Sequence, residues 1–152
     1  LASQNAGAWS VPFINDDYIF LDKTRDAPLS VVWAARDLLF HYYRPWSREL
    51  HFAALHNLVG LEPLAYHLVN LALAASCLVL FFLYARRLAG ARVAAVATAG
   101  VASLSAWTLF VAWASCSQDL WMIAWSLLAL HAAARDRSAL ATLAFALALL
   151  SK

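Results

Sequence analysis

The chain has 152 residues, of which 64% are hydrophobic and 13% are charged, and its mean hydropathy is +0.66. A typical globular domain is about 45–50% apolar and about 25% charged, so this composition excludes an ordinary water-soluble domain and predicts a membrane protein. The net charge is only +2 and no Lys/Arg run interleaves with aromatic residues, so we expect no nucleic-acid partner.

Residues 1–62 are mixed polar and aromatic, and we interpret them as an external segment. Within this segment, apolar residues recur at spacings near three and four over Leu29–Tyr43, between Pro28 and Pro45. That pattern predicts an amphipathic helix lying along the membrane surface. A helix packed on its own domain is the alternative.

From about residue 63 the chain consists of apolar runs separated by short basic loops. A helix rises about 1.5 Å per residue, so about 20 apolar residues cross a hydrocarbon core of about 30 Å. The third run is shorter and carries Asp119 and His131 toward its ends, which favours a tilted span. The predicted fold is an all-α polytopic membrane protein, with a bundle at 63–152 and spans at about 64–85, 93–115, 119–134 and 138–152, the last one truncated.

Arginines set the predicted orientation of these spans. Short loops rich in Lys and Arg stay in the cytoplasm, which places residues 1–62, the 115–119 connection and Lys152 together on the opposite, non-cytoplasmic side. The arginines of the two short loops are Arg86, Arg87, Arg92, Arg135 and Arg137.

The ends of the chain indicate a longer protein. The chain begins with Leu1, holds a single methionine, Met122, and stops at Lys152 directly after an apolar run. We therefore expect an N-proximal fragment, in which no signal peptide can be scored.

Two adjacent carboxylates, Asp16 and Asp17, follow the apolar Pro12–Ile14. Near a bilayer, desolvation and a like-charged neighbour both raise the pKa of a carboxyl group, which suits a general base that takes a proton from an acceptor hydroxyl. A turn or helix N-cap is the alternative, because Asp and Asn favour both.

Arg44 and Arg48 form a second candidate group, with Tyr43 and Pro45 beside Arg44. The planar guanidinium binds two phosphate oxygens at once, so an arginine held by a proline turn can clamp a lipid phosphate. An arginine that extends to lipid headgroups is the equal alternative.

His67 and Asn70 lie three residues apart on one face of the first predicted span. Polar groups within a span usually face the bundle interior. The sequence leaves open a substrate contact and a structural hydrogen bond between helices.

Metal ligation has little support in the spacing of candidate ligands. Glu62, His51, His56 and His67 match no zinc pattern such as HExxH. The two cysteines, Cys77 and Cys116, form no CxxC spacing, and we expect free thiols.

Four motifs follow one another along the chain, and they are Ile14–Tyr18, Tyr43–Pro45, Gly60–Leu71 and Ala148–Lys152. Taken together they resemble the N-terminal half of polytopic GT-C glycosyltransferases. The nearest branch looks like the bacterial relatives of protein O-mannosyltransferases, including those with C-terminal tetratricopeptide repeats. Trp113 and Asp119 keep the family's spacing, but Ser117 lies where that branch has an arginine.

The resemblance implies a bacterial inner-membrane enzyme whose active site faces the periplasm. It would transfer a mannose-like sugar from a polyprenyl-phosphate donor to a hydroxyl of a protein, lipid or glycan. It implies that Asp16 is the general base, with Asp17 as its partner, and it leaves open a divalent metal held by the pair. The residues implied to bind substrate are Tyr43, Arg44, Arg48, His67, Asn70, Asp119 and Lys152.

Two other classes of protein stay open at this point. In a transporter or channel, His67, Asn70 and Asp119 would line a pathway. In a non-catalytic membrane scaffold, the helices would only pack.

Overall fold

The computed structural model describes residues 11–25 and 43–152, and in this part of the chain every element is helical. The all-α prediction is confirmed for these residues. The predicted surface helix at Leu29–Tyr43 lies outside the described residues except for Tyr43.

The described residues that precede Pro63 form two helices and a π-helical turn around a small apolar core. α1 spans Asp16–Arg25, with acidic residues in its first turn and basic residues in its last, which matches the helix dipole. A π-helical turn, Pro45–Leu50, leads directly into α2, His51–Val59. Apolar side chains join these elements to the start of the bundle, and the buried ones are Phe13, Phe20, Leu21, Phe52, Tyr66 and Ala114.

α3, Pro63–Ala102, is two helical segments that meet at Gly90, whose φ is 80° and ψ is 168°. Asn70 Nδ2 lies 3.0 Å from the carbonyl oxygen of Phe110. A straight helix would carry Ala102 about 48 Å beyond Asn70, whereas the eight residues from there to Phe110 span at most about 29 Å. The chain therefore folds back at Gly90.

The rest of the bundle consists of α4 (Ala106–Ala112), a 3₁₀ turn (Ala114–Cys116), α5 (Ser117–Ala133) and α6 (Ser138–Leu149). α5 runs alongside the first segment of α3. Several core positions hold small side chains, which lets the helices approach closely. The core residues are Ala74, Cys77, Leu78, Trp107, Val111, Leu120 and Ala124.

Among the described residues, one helix, Pro63–Ala102, is long and apolar enough to cross a membrane. Only 22% of its most apolar stretch is buried in the structure. α6 is apolar but shorter. Helices lie in each of the four predicted spans, although the second is broken at 103–105. Bilayer crossing stays a prediction for each of them.

Gly90 provides a direct test of the reversal in α3. An L side chain is strained at its positive φ, although a Cβ there meets no atom within 4 Å. Gly90→Ala should therefore destabilise the protein by about 1–3 kcal/mol through the backbone alone. Thermal unfolding in detergent, followed by circular dichroism, measures this.

Gly100→Ala is the matched control, because Gly100 is helical and equally open. Alanine favours a helix over glycine by about 1 kcal/mol, so this variant should be unchanged or stabilised. Equal stability of the two variants would contradict the reversal.

Candidate functional site

The connection between α4 and α5, residues 113–119, is the centre of the site, and we name it the outer connection. The backbone leaves the helical conformation at Trp113, where φ is −113° and ψ is 111°. The last carbonyl groups of a helix lack partners within it. Asn70 Nδ2 carries two hydrogens and lies within hydrogen-bond distance of three oxygens, that of Phe110 in the last turn of α4 at 3.0 Å and those of Trp113 at 3.0 Å and Ala114 at 3.3 Å just beyond it.

His67 supports the same region from one turn earlier in α3. The residue is fully buried, and its Nδ1 lies 3.0 Å from the Val111 oxygen. Its Nε2 lies 2.9 Å from the oxygen of Val11, which precedes α1. The structure thus gives His67 and Asn70 partners on the backbone, in line with the structural alternative, and we treat both as positioning residues.

Asp17 joins α1 to the outer connection. Its carboxylate is fully buried and accepts a hydrogen bond through Oδ1 from Ser115 N at 2.8 Å, together with one from Ser115 Oγ. Its Oδ2 accepts from Ile14 N at 3.1 Å, which caps the start of α1. Asp16 points outward and is exposed, so of the two carboxylates only that of Asp16 is open to an acceptor.

Arg44 also reaches the outer connection. Its NH1 donates to Gln118 Oε1 at 2.7 Å, and Gln118 Nε2 donates to the Ser115 oxygen at 3.1 Å. The neutral amide orients one edge of the guanidinium. Tyr43, next to it, is 47% exposed, so Tyr43 and Arg44 stand at the surface of the site.

Arg48 has a different environment from the one predicted for a phosphate clamp. Its side chain is buried, its Nε donates to Glu49 Oε1 at 2.8 Å, and its guanidinium carbon lies 5.0 Å from the centre of the Phe20 ring. Lys23 Nζ lies 3.1 Å from the same Glu49 oxygen. Arg48 therefore holds α1 and the π-helical turn together, and we do not place it among the groups that contact substrate.

Lys152 returns to the outer connection from the end of α6. Its ammonium forms an ion pair with Asp119 Oδ1, and next to it Ser47 Oγ donates to the Ser151 oxygen at 2.9 Å. The outer connection thus contacts three predicted site residues, each through a different side chain. The pairs are Asp17 with Ser115, Arg44 with Gln118, and Lys152 with Asp119.

An aromatic cluster lies beside this site, and Trp46 is the member that the sequence pattern did not indicate. The ring centres of Trp46 and Trp121 are 5.0 Å apart, and those of Trp46 and Trp125 are 5.6 Å apart. Trp121 Nε1 donates to His51 Nδ1 at 3.3 Å, and burial lowers the pKa of His51 to about 4. His51 is therefore a neutral acceptor at physiological pH. The spacing of Trp121 and Trp125, one helical turn, was the signal available.

The described residues offer a poor fit for a metal held by the acidic pair. Asp17 already accepts three hydrogen bonds and has no exposed surface. No group of three or more His, Cys, Asp or Glu side chains comes together within 11–25 and 43–152. Burial, together with the negative charges of Asp119 and Asp17, raises the pKa of Cys116 to about 12, which leaves its thiol protonated and a weak nucleophile.

Comparison with known proteins assigns no family to this chain. No protein-family model matches it, and no curated protein or solved structure does so. The resemblance to GT-C glycosyltransferases therefore rests on the motifs alone.

The different environments of the two carboxylates predict different effects of the same substitution. In Asp17→Asn one amide oxygen replaces two carboxylate oxygens, and the amide NH₂ would face the Ile14 N–H. We expect a loss of about 1.5–3 kcal/mol in the free energy of unfolding. Asp16→Asn, at an exposed position, should change it by less than about 0.5 kcal/mol.

Chemical unfolding of both variants in the same detergent measures this difference. Ser115→Ala is a partner control, because it removes the hydroxyl donor to Asp17 and leaves the backbone donor. Equal stability of the Asp16 and Asp17 variants would contradict the structural role of Asp17.

Proposed function

We propose that this chain belongs to a membrane glycosyltransferase of the bacterial cytoplasmic membrane. It moves a mannose-like sugar from a polyprenyl-phosphate donor to a hydroxyl of a protein, lipid or glycan on the non-cytoplasmic face. One observation carries the proposal: the outer connection holds Asp17, Arg44 and Lys152 at the same end of an apolar bundle, with the exposed Asp16 beside Asp17.

The apolar surface of the bundle supports a membrane location. Large apolar side chains are exposed on α3 and α6. In water, a protein with so much exposed apolar surface would need a partner to cover it. A bilayer provides that partner for a long apolar helix. Examples of these exposed side chains are Val79, Leu88, Val96, Leu143, Phe145 and Leu149.

The chemistry follows from the donor, whose leaving group is already a phosphate. The Asp16 carboxylate takes the proton of the acceptor hydroxyl while that oxygen bonds to the anomeric carbon of the sugar. The bond from this carbon to the phosphate oxygen breaks, and polyprenyl phosphate leaves with the electron pair. Arg44 and Lys152 supply positive charge to the departing phosphate.

Asp17 and Asn70 have supporting roles in this scheme. Asp17 fixes the start of α1 and thereby the position of Asp16. Asn70 holds the backbone of the outer connection, from which Gln118 orients Arg44. The positioning of reacting groups contributes to the rate in addition to proton transfer.

The orientation of the bundle has a direct test. In a variant without native cysteines, a single cysteine at Asp22 should react with an impermeant maleimide added to intact cells, and one at Leu88 should not. Both positions are exposed in the structure, so the difference reports sidedness. Reaction at position 88 alone would put the acidic pair in the cytoplasm and overturn the proposal.

The assignment of the base is tested by Asp16→Asn, which keeps the size of the side chain but accepts no proton at neutral pH. Loss of a positioned base typically lowers a rate by about 10²–10⁴-fold. Transfer from a polyprenyl-phosphate sugar is measured in membranes of equal protein content.

Arg44→Lys, in the same assay, keeps the charge but loses the two-oxygen geometry and should also slow transfer.

Asp22→Asn is the matched control, because Asp22 is an exposed carboxylate on the same helix. It should transfer sugar at the wild-type rate. Wild-type transfer by Asp16→Asn would remove Asp16 from the site and leave the acidic pair with a structural role only.

A further inference from the structure

α5 and α6 form a helical hairpin that leaves a groove of about 280 Å³ along one side. Its walls are apolar for most of its length, with Trp125 and Leu128 from α5 and Leu140, Leu143 and Leu147 from α6. Leu140 and Leu143 are more than half exposed. The groove is therefore open to the surroundings of the bundle rather than closed within it.

The loop of the hairpin places charge at one end of this groove. Arg135 and Arg137 both line it. Asp136, between them, has a φ of 57° and lines a different depression, with Ala133 and Thr142. Asp136 therefore lies outside the lining of the groove that the two arginines share.

The dimensions of the groove match one leaflet of a bilayer. Trp125 lies eight residues, or about 12 Å of helix rise, before Ala133 at the end of α5, and Arg135 follows two residues later, so this distance approaches half of a hydrocarbon core of about 30 Å. Within the described part of the chain, neither the Arg135 nor the Arg137 guanidinium has a hydrogen-bond or ion-pair partner. Arg87 instead donates to the Ala134 oxygen and ties the loop to α3.

We propose that this groove binds an anionic phospholipid of the cytoplasmic leaflet. One acyl chain lies along the leucines, and Arg135 and Arg137 hold the phosphate. An arginine fork binds two phosphate oxygens at once, and basic pockets between helices on the cytoplasmic side suit anionic headgroups. Apolar walls that end in two cations fit this occupant better than a further apolar helix.

This site is separate from the proposed transfer site. Asp119 lies in the first turn of α5 and Arg135 follows its last residue, Ala133, so about 21 Å of helix separates the two sites. The proposal rests on membrane embedding and not on sugar transfer. Asp16→Asn should therefore retain the lipid, whatever its effect on transfer.

Native mass spectrometry of the detergent-solubilised protein, titrated with dioleoyl phosphatidylglycerol or dioleoyl phosphatidylcholine, tests the site. Wild type should bind the anionic lipid more tightly. Each basic side chain near anionic lipid contributes about 1 kcal/mol, so the double variant Arg135→Gln, Arg137→Gln should bind it about thirtyfold more weakly. Arg92→Gln, at an exposed arginine of the other basic loop, should bind as wild type does.

A second variant tests the acyl-chain part of the site with both arginines intact. Ala144 lines the groove, so Ala144→Phe should fill it and reduce binding. Ala146→Phe, at an exposed position of α6 outside the groove lining, should not. Soluble glycerol phosphate at millimolar concentration should not displace the lipid.

Four outcomes would overturn the proposal. The first is equal affinity of the wild type for the two lipids, and the second is wild-type binding by the double arginine variant. The third is displacement of the lipid by glycerol phosphate. The fourth is that the wild type binds no lipid while Ala144→Phe lowers the stability of the protein. The last result would indicate that a further helix of the protein occupies the groove.

Discussion

The carbonyl groups freed where α4 ends are the constraint on which the outer half of the structure depends. In an apolar bundle there is little water to satisfy them, and an unpaired buried carbonyl costs free energy comparable to a lost hydrogen bond. Asn70 Nδ2 lies within hydrogen-bond distance of the Phe110 oxygen in the last turn of α4 and of two oxygens just beyond it, and a ring nitrogen of His67 lies 3.0 Å from the Val111 oxygen. Since Asn70 lies on the first segment of α3, the reversal at Gly90 is what brings donor and acceptors together.

The outer connection, once held in this way, organises the charged groups. Ser115 binds Asp17, Gln118 binds Arg44 and Asp119 pairs with Lys152. Groups from three distant parts of the chain therefore meet on a short stretch of backbone. In the proposed transferase, Asp17 would position Asp16 and Gln118 would position Arg44, and such positioning contributes to rate.

The two ends of α5 have contrasting chemistry that suits a bundle in a bilayer. At its start, acidic, basic and aromatic side chains surround the outer connection. Just after its end, Arg135 and Arg137 line an apolar groove whose lining does not include Asp136. The proposed transfer site and the proposed phospholipid site thus lie at opposite ends of the same helix, which lets each be removed by substitution without disturbing the other.

The sequence by itself predicted the helical class and the reversals near 86–92 and 134–138, because long apolar runs and short arginine-rich loops are local properties, but it did not predict the break at 103–105 within the expected span 93–115. Local patterns also singled out Asp16, Asp17, Arg44 and Arg48 as candidates, and the family resemblance added Lys152. Only the tertiary structure decided which of them are accessible. Asp17 is buried against Ser115, a residue 98 positions later in the chain. Arg48 is buried against Glu49 and Phe20. Burial depends on which distant residue arrives at the same place, and no local pattern records that.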